Sequence, residues 1–267
     1  MVRRLIQFAR REQLLRHPIR GARGIWVRVR WWIHWHWHPE RELLYPFYGG
    51  MTIQLAKSGA SLGIVLNRGF TDRDCADLFV EFLRPGMVAV DCGAHIGEYT
   101  LIFAKLVGEE GQVHAFEPHP GMFQCLQANA KRNGLQRVTL NHAAVGDKNG
   151  TTLFLLCPDP IAASVVTSDR QPYPTVEVPI TSLDEYISRH KLARVDAIKI
   201  DVEGSELAVI RGAAKLLQER PPGLLFIECD DHQNEKPITD QLRACGYEVT
   251  RPARYGAHPH LIARWAR

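Results

Sequence analysis

Five short apolar runs in the part of the chain after residue 86 constrain the fold most strongly. Stretches with helical periodicity lie between several of them, near 97–107, 120–133 and 205–219. Continuous apolar runs that alternate with helices are typical of strands buried between two helical layers. The sequence therefore predicts an α/β fold with a mostly parallel sheet flanked by helices. The runs are "MVAVDC" (87–92), "QVHAFE" (112–117), "RVTLNHAAV" (137–145), "DAIKID" (196–201) and "GLLFIEC" (223–229).

Further elements are expected around this core. Residues 151–180 have strand-like ends and a Pro-rich middle, which predicts an inserted β-excursion near the active site. "RACGYEVT" and "HLIARWA" predict a final antiparallel hairpin, and "MTIQLAKSGASLGIVLN" predicts two strands around a Ser-Gly turn. "TDRDCADLFVEFL" predicts a helix with Thr71 or Asp72 as its N-cap.

The chain divides into a basic, Trp-rich N-terminal extension (residues 1–50) and a main domain (residues 51–267). Residues 1–44 hold ten Arg and three Glu, whereas the whole chain carries a net charge of only +4, so the main domain is net acidic. Residues 1–16 favour a short amphipathic helix. "GIWVRVRWWIHWHWHP" alternates with a period of two and predicts a strand. Its aromatic face would pack on the main domain or a second subunit, or contact a membrane or an acceptor.

The composition is that of an ordinary folded protein, with 45% hydrophobic and 23% charged residues. No apolar run reaches the roughly 18–20 residues that cross a bilayer, and the N-terminus lacks the features of a secretory signal. We therefore expect a cytoplasmic protein, with peripheral membrane contact or self-association through residues 1–44 left open. The six cysteines form no CxxC pair, which favours reduced thiols over disulfides or a zinc cluster.

The first apolar run ends in a glycine-containing turn, "DCGAHIGEY" (91–99), which precedes a helical pattern. A nucleoside triphosphate site would need a Lys followed by Ser or Thr at this turn, and none is there. A dinucleotide site would need a glycine where His95 stands. Asp91 would repel a pyrophosphate but can hold the methionyl ammonium group of S-adenosylmethionine. Glu117 ends the next run, 24 residues after Gly93, where a carboxylate can accept both ribose hydroxyls of a nucleoside.

Together these motifs resemble the successive blocks of FkbM-type methyltransferases over roughly residues 60–235. The resemblance rests on the segments "VAVDCGAHIGEYTLIFAKLVGEEGQVHAFEPHP", "NHAAVGD", "TSLDEYI", "DAIKIDVEGSELAVIRGA" and "LLFIEC". It implies a Rossmann-like class I methyltransferase fold with a seven-stranded, mostly parallel sheet, here preceded by a helix/β extension. It also implies S-adenosylmethionine as the cofactor.

The resemblance further assigns cofactor-binding residues. Glu117 would hold the ribose and the Ala144 region would flank the adenine, while His95 stands where the family usually has Asn. Asp201 is expected either on the amino group of the cofactor or at the acceptor hydroxyl. Asp91, Gly93 and Gly97 are assigned to the methionyl end, and Ala94 and His95 are also expected to bind the cofactor.

Acidic residues and a histidine follow two strands that should be neighbours, and we predict catalytic roles for Asp201, Glu228 and His232. The alternative for Asp201 is a carboxylate that caps the helix starting near Ser205. His232 has the chemistry of a general base near neutral pH. Asp201 and the carboxylates of "FIECDDH" would suit one Mg²⁺ ion, and the alternative is a solvated acidic loop.

These observations predict an S-adenosylmethionine-dependent O-methyltransferase. The family resemblance suggests a hydroxyl of a sugar, a glycolipid or a polyketide-type natural product as the acceptor. The alternatives are a nucleic-acid or protein methyltransferase and a non-catalytic cofactor-binding module. The "DVEG" motif argues against flipped bases, so no nucleic-acid partner is expected. A monomer or a homodimer is expected.

Overall fold

The computed structural model describes residues 18–67, 69–157, 173–229, 232–252 and 260–266, excluding the side chains of residues 18–23 and 232. The helices are α1 (Pro18–Trp37), α2 (Gly59–Leu66), α3 (Arg73–Phe82), α4 (Glu98–Val107), α5 (Pro120–Arg132), α6 (Leu183–His190), α7 (Glu206–Arg211), α8 (Ala214–Glu219) and α9 (His232–Ala244). The strands are β1 (Leu43–Pro46), β2 (Thr52–Leu55), β3 (Val88–Cys92), β4 (Gln112–Phe116), β5 (Val138–Asn141), β6 (Ala144–Val145), β7 (Gly150–Leu155), β8 (Thr175–Thr181), β9 (Ala197–Ile200), β10 (Leu224–Glu228), β11 (Tyr247–Thr250) and β12 (His260–Trp265).

A seven-stranded sheet with the order β11-β12-β10-β9-β3-β4-β5 forms the centre of the fold. Neighbouring strands from β10 to β5 run parallel, and β12 is antiparallel to both β10 and β11. The predicted mostly parallel sheet and the final hairpin are confirmed. Because the carboxyl ends of the parallel strands share one edge, the residues that follow them meet there.

Two apolar layers cover the sheet, and alternate residues of β3 point into each. Val90 and Cys92 belong to the layer formed with α6 to α9. Ala89 belongs to the layer formed with α2 to α4, which includes Phe79 and Phe103. Strands buried on both faces explain why the runs in the sequence are continuously apolar.

The Trp-rich segment is helix α1, so the strand predicted there is wrong. The alternation in the sequence is imperfect. In a strand, Trp26 and Trp32 would point to the face opposite the other three tryptophans of the segment. As a helix, the segment satisfies its backbone hydrogen bonds internally, whereas a lone strand needs a partner. The helical register buries Val27 and packs Trp31 against the core. No helix in the described ranges is both long enough and apolar enough to cross a membrane.

The second strand predicted in "MTIQLAKSGASLGIVLN" is also wrong, because that part forms α2. The Ser58 hydroxyl accepts a hydrogen bond from the Ser61 amide and so caps the helix. Ile64 of this helix is fully buried in the core. An N-cap followed by a well-packed apolar residue stabilises a helix over a second strand.

The remaining predicted elements are largely confirmed. Asp72 is the N-cap of α3, and its side chain accepts from the Cys75 amide. The β-excursion forms a small sheet, β6-β8-β7, whose middle segment, residues 158–172, lies outside the described residues. "RVTLNHAAV" divides into β5 and β6, and the stretch 205–219 divides into α7 and α8. The amphipathic helix predicted over residues 1–16 lies outside the described residues. The domain boundary at residue 50 stays a prediction, and β1 pairs with β2 across it.

Candidate active site

A cavity of about 560 Å³ opens at the carboxyl ends of β3, β4, β9 and β10. This volume lies within the range of about 300–1,000 Å³ that is usual for small-molecule sites. Several predicted site residues line it: Gly93, Ala94, His95, Glu117, Ala144, Asp201 and Glu228. The fold therefore brings together residues that are up to 135 positions apart in the sequence.

The glycine turn after β3 forms one wall of the cavity. Gly93 has a φ of +79°, and a Cβ atom there would lie 1.7 Å from the carbonyl oxygen of Asp201. In the structure the close neighbour is the backbone that follows β9, so the glycine lets two strand ends meet.

Glu117 is held at the end of β4 by two backbone amides. Its Oε2 accepts from the His95 amide and its Oε1 from the His119 amide, each at 2.7 Å. Burial raises the pKa of Glu117 to about 7, although the two hydrogen bonds favour the charged carboxylate. The carboxylate therefore lines the cavity with a rigid orientation and changes charge near neutral pH.

His95 lies in the same turn with a φ of +51°, which is uncommon for a residue other than glycine. Burial lowers the pKa of its imidazole to about 3, so the ring is neutral. Its buried Nε2 has no hydrogen-bond partner among the described residues. A buried polar atom in a cavity wall is suited to a ligand that supplies the missing hydrogen bond.

An apolar slot lies on the other side of Glu117. Ala143, Ala144 and Val145 line the cavity together with Phe154 of the inserted sheet. A flat heterocycle such as adenine would fit between small apolar side chains and an aromatic ring. The sequence singled out Ala144 but missed Phe154, because nothing local indicates which part of the excursion folds back over β4.

Asp91 lies beneath the cavity and does not line it. The side chain is fully buried, and its Oδ2 accepts a hydrogen bond of 2.6 Å from the Thr100 hydroxyl. Its Oδ1 lies 3.8 Å from the Nζ of Lys199. Gly97 also lies outside the cavity wall, where a Cβ atom would be 2.6 Å from the side chain of Leu126. Direct contact of Asp91 or Gly97 with a cofactor stays a prediction.

Lys199 lies between the carboxylates of Asp91 and Asp201. Its Nζ lies 2.9 Å from Oδ2 of Asp201, and only 4% of the Lys199 side chain is exposed. Burial favours the neutral amine, but the charges of Asp201 and Asp91 outweigh it and raise the pKa of Lys199. Asp201 accepts a hydrogen bond from Lys199, and the N-cap Ser205 of α7 has no side-chain cap bond.

Glu228 lies beside this group at the end of β10. Its Oε2 is 3.5 Å from Nε2 of His260, which is the residue opposite it on β12. No pattern in the sequence indicates a role for His260, since only the antiparallel pairing of β12 brings it to Glu228. His232 begins α9, and its side chain lies outside the described residues.

A further part of the cavity lining comes from the segments at the starts of α2, α3 and α4. Asp72, Cys75 and Tyr99 belong to it, and the Tyr99 hydroxyl donates to the backbone oxygen of Asp72. Glu98 accepts two hydrogen bonds from Thr71, and burial raises its pKa to about 7. Sequence reasoning did not find this part of the lining, although Asp72 was named as a cap.

The arrangement of the described residues does not support a magnesium site. No group of three His, Cys, Asp or Glu side chains in the described part of the chain is placed to hold a metal ion. Asp230 and Asp231, which the magnesium hypothesis needed, lie outside that part.

Comparison with known proteins agrees with the geometry. Residues 91–249 match the family described as the methyltransferase FkbM domain. The chain is 31% identical to 31-O-demethyl-FK506 methyltransferase FkbM of Streptomyces tacrolimicus, in a match covering 54% of this chain and 65% of that protein. It is 29% identical to hexuronic acid methyltransferase AglP of Haloferax volcanii, with 64% and 67% covered. The chain thus spans about two thirds of the length of these relatives.

Among solved structures, a putative rRNA methylase from Clostridium thermocellum matches 73% of this chain and 95% of its own. Its TM-score is 0.48 and its sequence identity 17%.

The strand order, the antiparallel strand between β10 and β11, and the cavity at the carboxyl edge define a class I methyltransferase fold. Within that class the chain belongs to the FkbM methyltransferase family, whose model matches more than half of it. The predicted family and fold class are both confirmed.

Proposed function

We propose that the protein is an S-adenosylmethionine-dependent O-methyltransferase acting on a hydroxyl of a sugar or polyketide-type acceptor. The observation that carries the proposal is one cavity that is lined by the glycine turn, the oriented Glu117 carboxylate and the carboxylates of Asp201 and Glu228. The two relatives support an oxygen acceptor, since one name specifies a 31-O-demethyl substrate and the other a hexuronic acid.

The residues present fit the cofactor. Glu117 would accept hydrogen bonds from the ribose hydroxyls, and the alanines near Ala144 would contact the adenine. The turn Gly93–Ala94–His95 would face the methionyl end, with the His95 Nε2 gaining a partner. When bound, S-adenosylmethionine supplies an electrophilic methyl group for an in-line displacement. The task of the protein is then to orient the acceptor and exclude water.

Glu228 is our first candidate for the base that receives the acceptor proton. Burial raises the pKa of the Asp201 carboxyl although the charge of Lys199 opposes it, and Oδ2 of Asp201 is already occupied by the hydrogen bond from Lys199. Glu228 is 29% exposed and lies near His260, so its carboxylate is both accessible from the cavity and oriented. Asp201 would instead position the acceptor or the cofactor amino group. His232 stays a second candidate for the base.

Calorimetric titration with S-adenosylhomocysteine tests the cofactor site. We expect micromolar binding that Glu117→Ala removes, with EDTA or Mg²⁺ leaving the affinity unchanged. Tyr173→Ala is a matched control, because this side chain is exposed and does not line the cavity. Absence of binding by the unmodified chain would refute the proposal.

A second experiment addresses the acceptor. Sugars and polyketide alcohols are incubated with isotopically labelled S-adenosylmethionine, and the methylated products are identified by mass spectrometry. An O-methyl product whose formation needs Glu228 supports the proposal. A product methylated only on nitrogen or carbon contradicts it.

A further inference from the structure

Helix α1 has two apolar faces, and only one of them packs against the rest of the protein. Val27 is buried and Trp31 contacts the core on the packed face. The other face follows the spacing i, i+1, i+4, i+7, i+8 and i+12, which places six side chains on one side of a helix. Each of them is between 43% and 65% exposed: Ile25, Trp26, Val29, Trp32, Ile33 and Trp37.

This exposed stripe differs from the rest of the described surface. Four other large apolar side chains are comparably exposed there, and they are scattered: Leu44, Leu153, Tyr173 and Trp265. Isolated exposed apolar residues are normal, whereas a contiguous apolar stripe indicates a binding surface. In a strand, these six residues would be divided between two faces. They form one stripe only because the segment is a helix.

The charge of α1 indicates which partner covers the stripe. Its sequence contains four arginines (Arg20, Arg23, Arg28 and Arg30) and no acidic residue. The guanidinium of Arg30 stacks 4.7 Å from the ring centroid of Trp26, so positive charge borders the stripe. A second copy of α1 on the same face would add like charges with no acidic partner on either helix. An anionic lipid surface supplies the missing negative charge.

The residue types agree with this choice. Tryptophan is enriched where proteins meet the interface of a bilayer, and interfacial helices combine Trp, Ile and Arg in this way. We propose that α1 lies on an anionic lipid bilayer and inserts its exposed Trp and Ile side chains among the headgroups. The proposal does not depend on the enzymatic activity.

The site and the docking surface are close in the fold. Helix α1 contacts α2, and Gly59 and Ala60 at the start of α2 line the cavity. Docking through α1 would therefore bring the cavity close to the lipid surface.

Co-sedimentation of the full chain with vesicles tests the proposal. We expect binding to phosphatidylglycerol/phosphatidylcholine vesicles that weakens with salt, and much weaker binding to pure phosphatidylcholine. The triple variant Trp26→Ser, Trp32→Ser, Trp37→Ser should bind at least about tenfold more weakly. Arg30→Gln should bind roughly fivefold more weakly, the effect of one cation at an anionic surface. Trp265→Ser is the matched control, because it removes an exposed tryptophan outside α1 and should change nothing.

The unmodified chain provides a readout that needs no variant. Its tryptophan emission should shift to shorter wavelength when anionic vesicles are added. The absence of this shift, or equal binding by the triple variant and the parent, would overturn the proposal. So would a stable dimer in light scattering that the triple variant dissociates, because α1 would then be a subunit interface.

Discussion

Lowering the pH should weaken the binding of S-adenosylhomocysteine, because Glu117 must be ionised to accept both ribose hydroxyls. Burial raises the pKa of Glu117 in the ligand-free protein to about 7, from an ordinary value of 4.5. A ribose that donates to the carboxylate favours its charged form, so binding lowers this pKa and releases a proton. Below about pH 7, each pH unit then costs about tenfold in affinity.

The expected size follows from this shift. Affinity at about pH 6 should be about tenfold lower than at about pH 8, a difference near 1.4 kcal/mol. The nearby imidazoles do not explain such a change, because burial lowers the pKa values of both His95 and His119. The effect of pH on the stability of the ligand-free protein has the opposite sign to its effect on binding. A carboxyl group whose folded pKa is raised favours folding at low pH, and this contribution is lost as the pH rises from about 4.5 through about 7.

Calorimetric titration at several pH values, in buffers of different ionisation enthalpy, measures both the affinity and the released proton. Glu117→Gln should bind more weakly and without pH dependence. Glu98→Gln is the control, since Glu98 also has a pKa raised to about 7 but faces Thr71. Parallel pH profiles for the parent chain and Glu117→Gln would refute this reasoning.

Three further predictions follow from the packing around the cavity. Gly93→Ala should lower the free energy of unfolding by about 3 kcal/mol or more, because it combines a positive φ with a clash at Asp201. Gly134→Ala has a positive φ but open space, and it should cost only about 1 kcal/mol in the same urea titration. Lys199→Met should destabilise the fold by about 3 kcal/mol by leaving the buried carboxylate of Asp91 and the partly exposed carboxylate of Asp201 without their cation. That loss should be larger at high pH, where both carboxylates are charged, and equal losses at all pH values would contradict the ion-pair argument. Glu228→Gln should lower kcat by about 100-fold or more and leave S-adenosylhomocysteine affinity unchanged, and an unaltered kcat would exclude Glu228 as the base.

The central sheet and the position of the candidate site could both be predicted from the amino-acid sequence. Strands buried on both faces need continuous apolar runs, and these runs are visible without a structure. Because such strands end at one edge of the sheet, Gly93, Glu117, Asp201 and Glu228 could be assigned to the same site from their positions after the runs.

Features that local patterns left ambiguous depend on the packing of distant segments. The Trp-rich segment fits a period of two almost as well as a helical period, and only the packing of Val27 and Trp31 selects the helix. Gly93 is required by the approach of the Asp201 carbonyl from another strand, and His260 reaches Glu228 only through the pairing of β12. Local sequence specifies backbone preference and burial through short-range periodicity. It does not specify which distant segment supplies the neighbouring atoms, because that depends on how the whole chain packs.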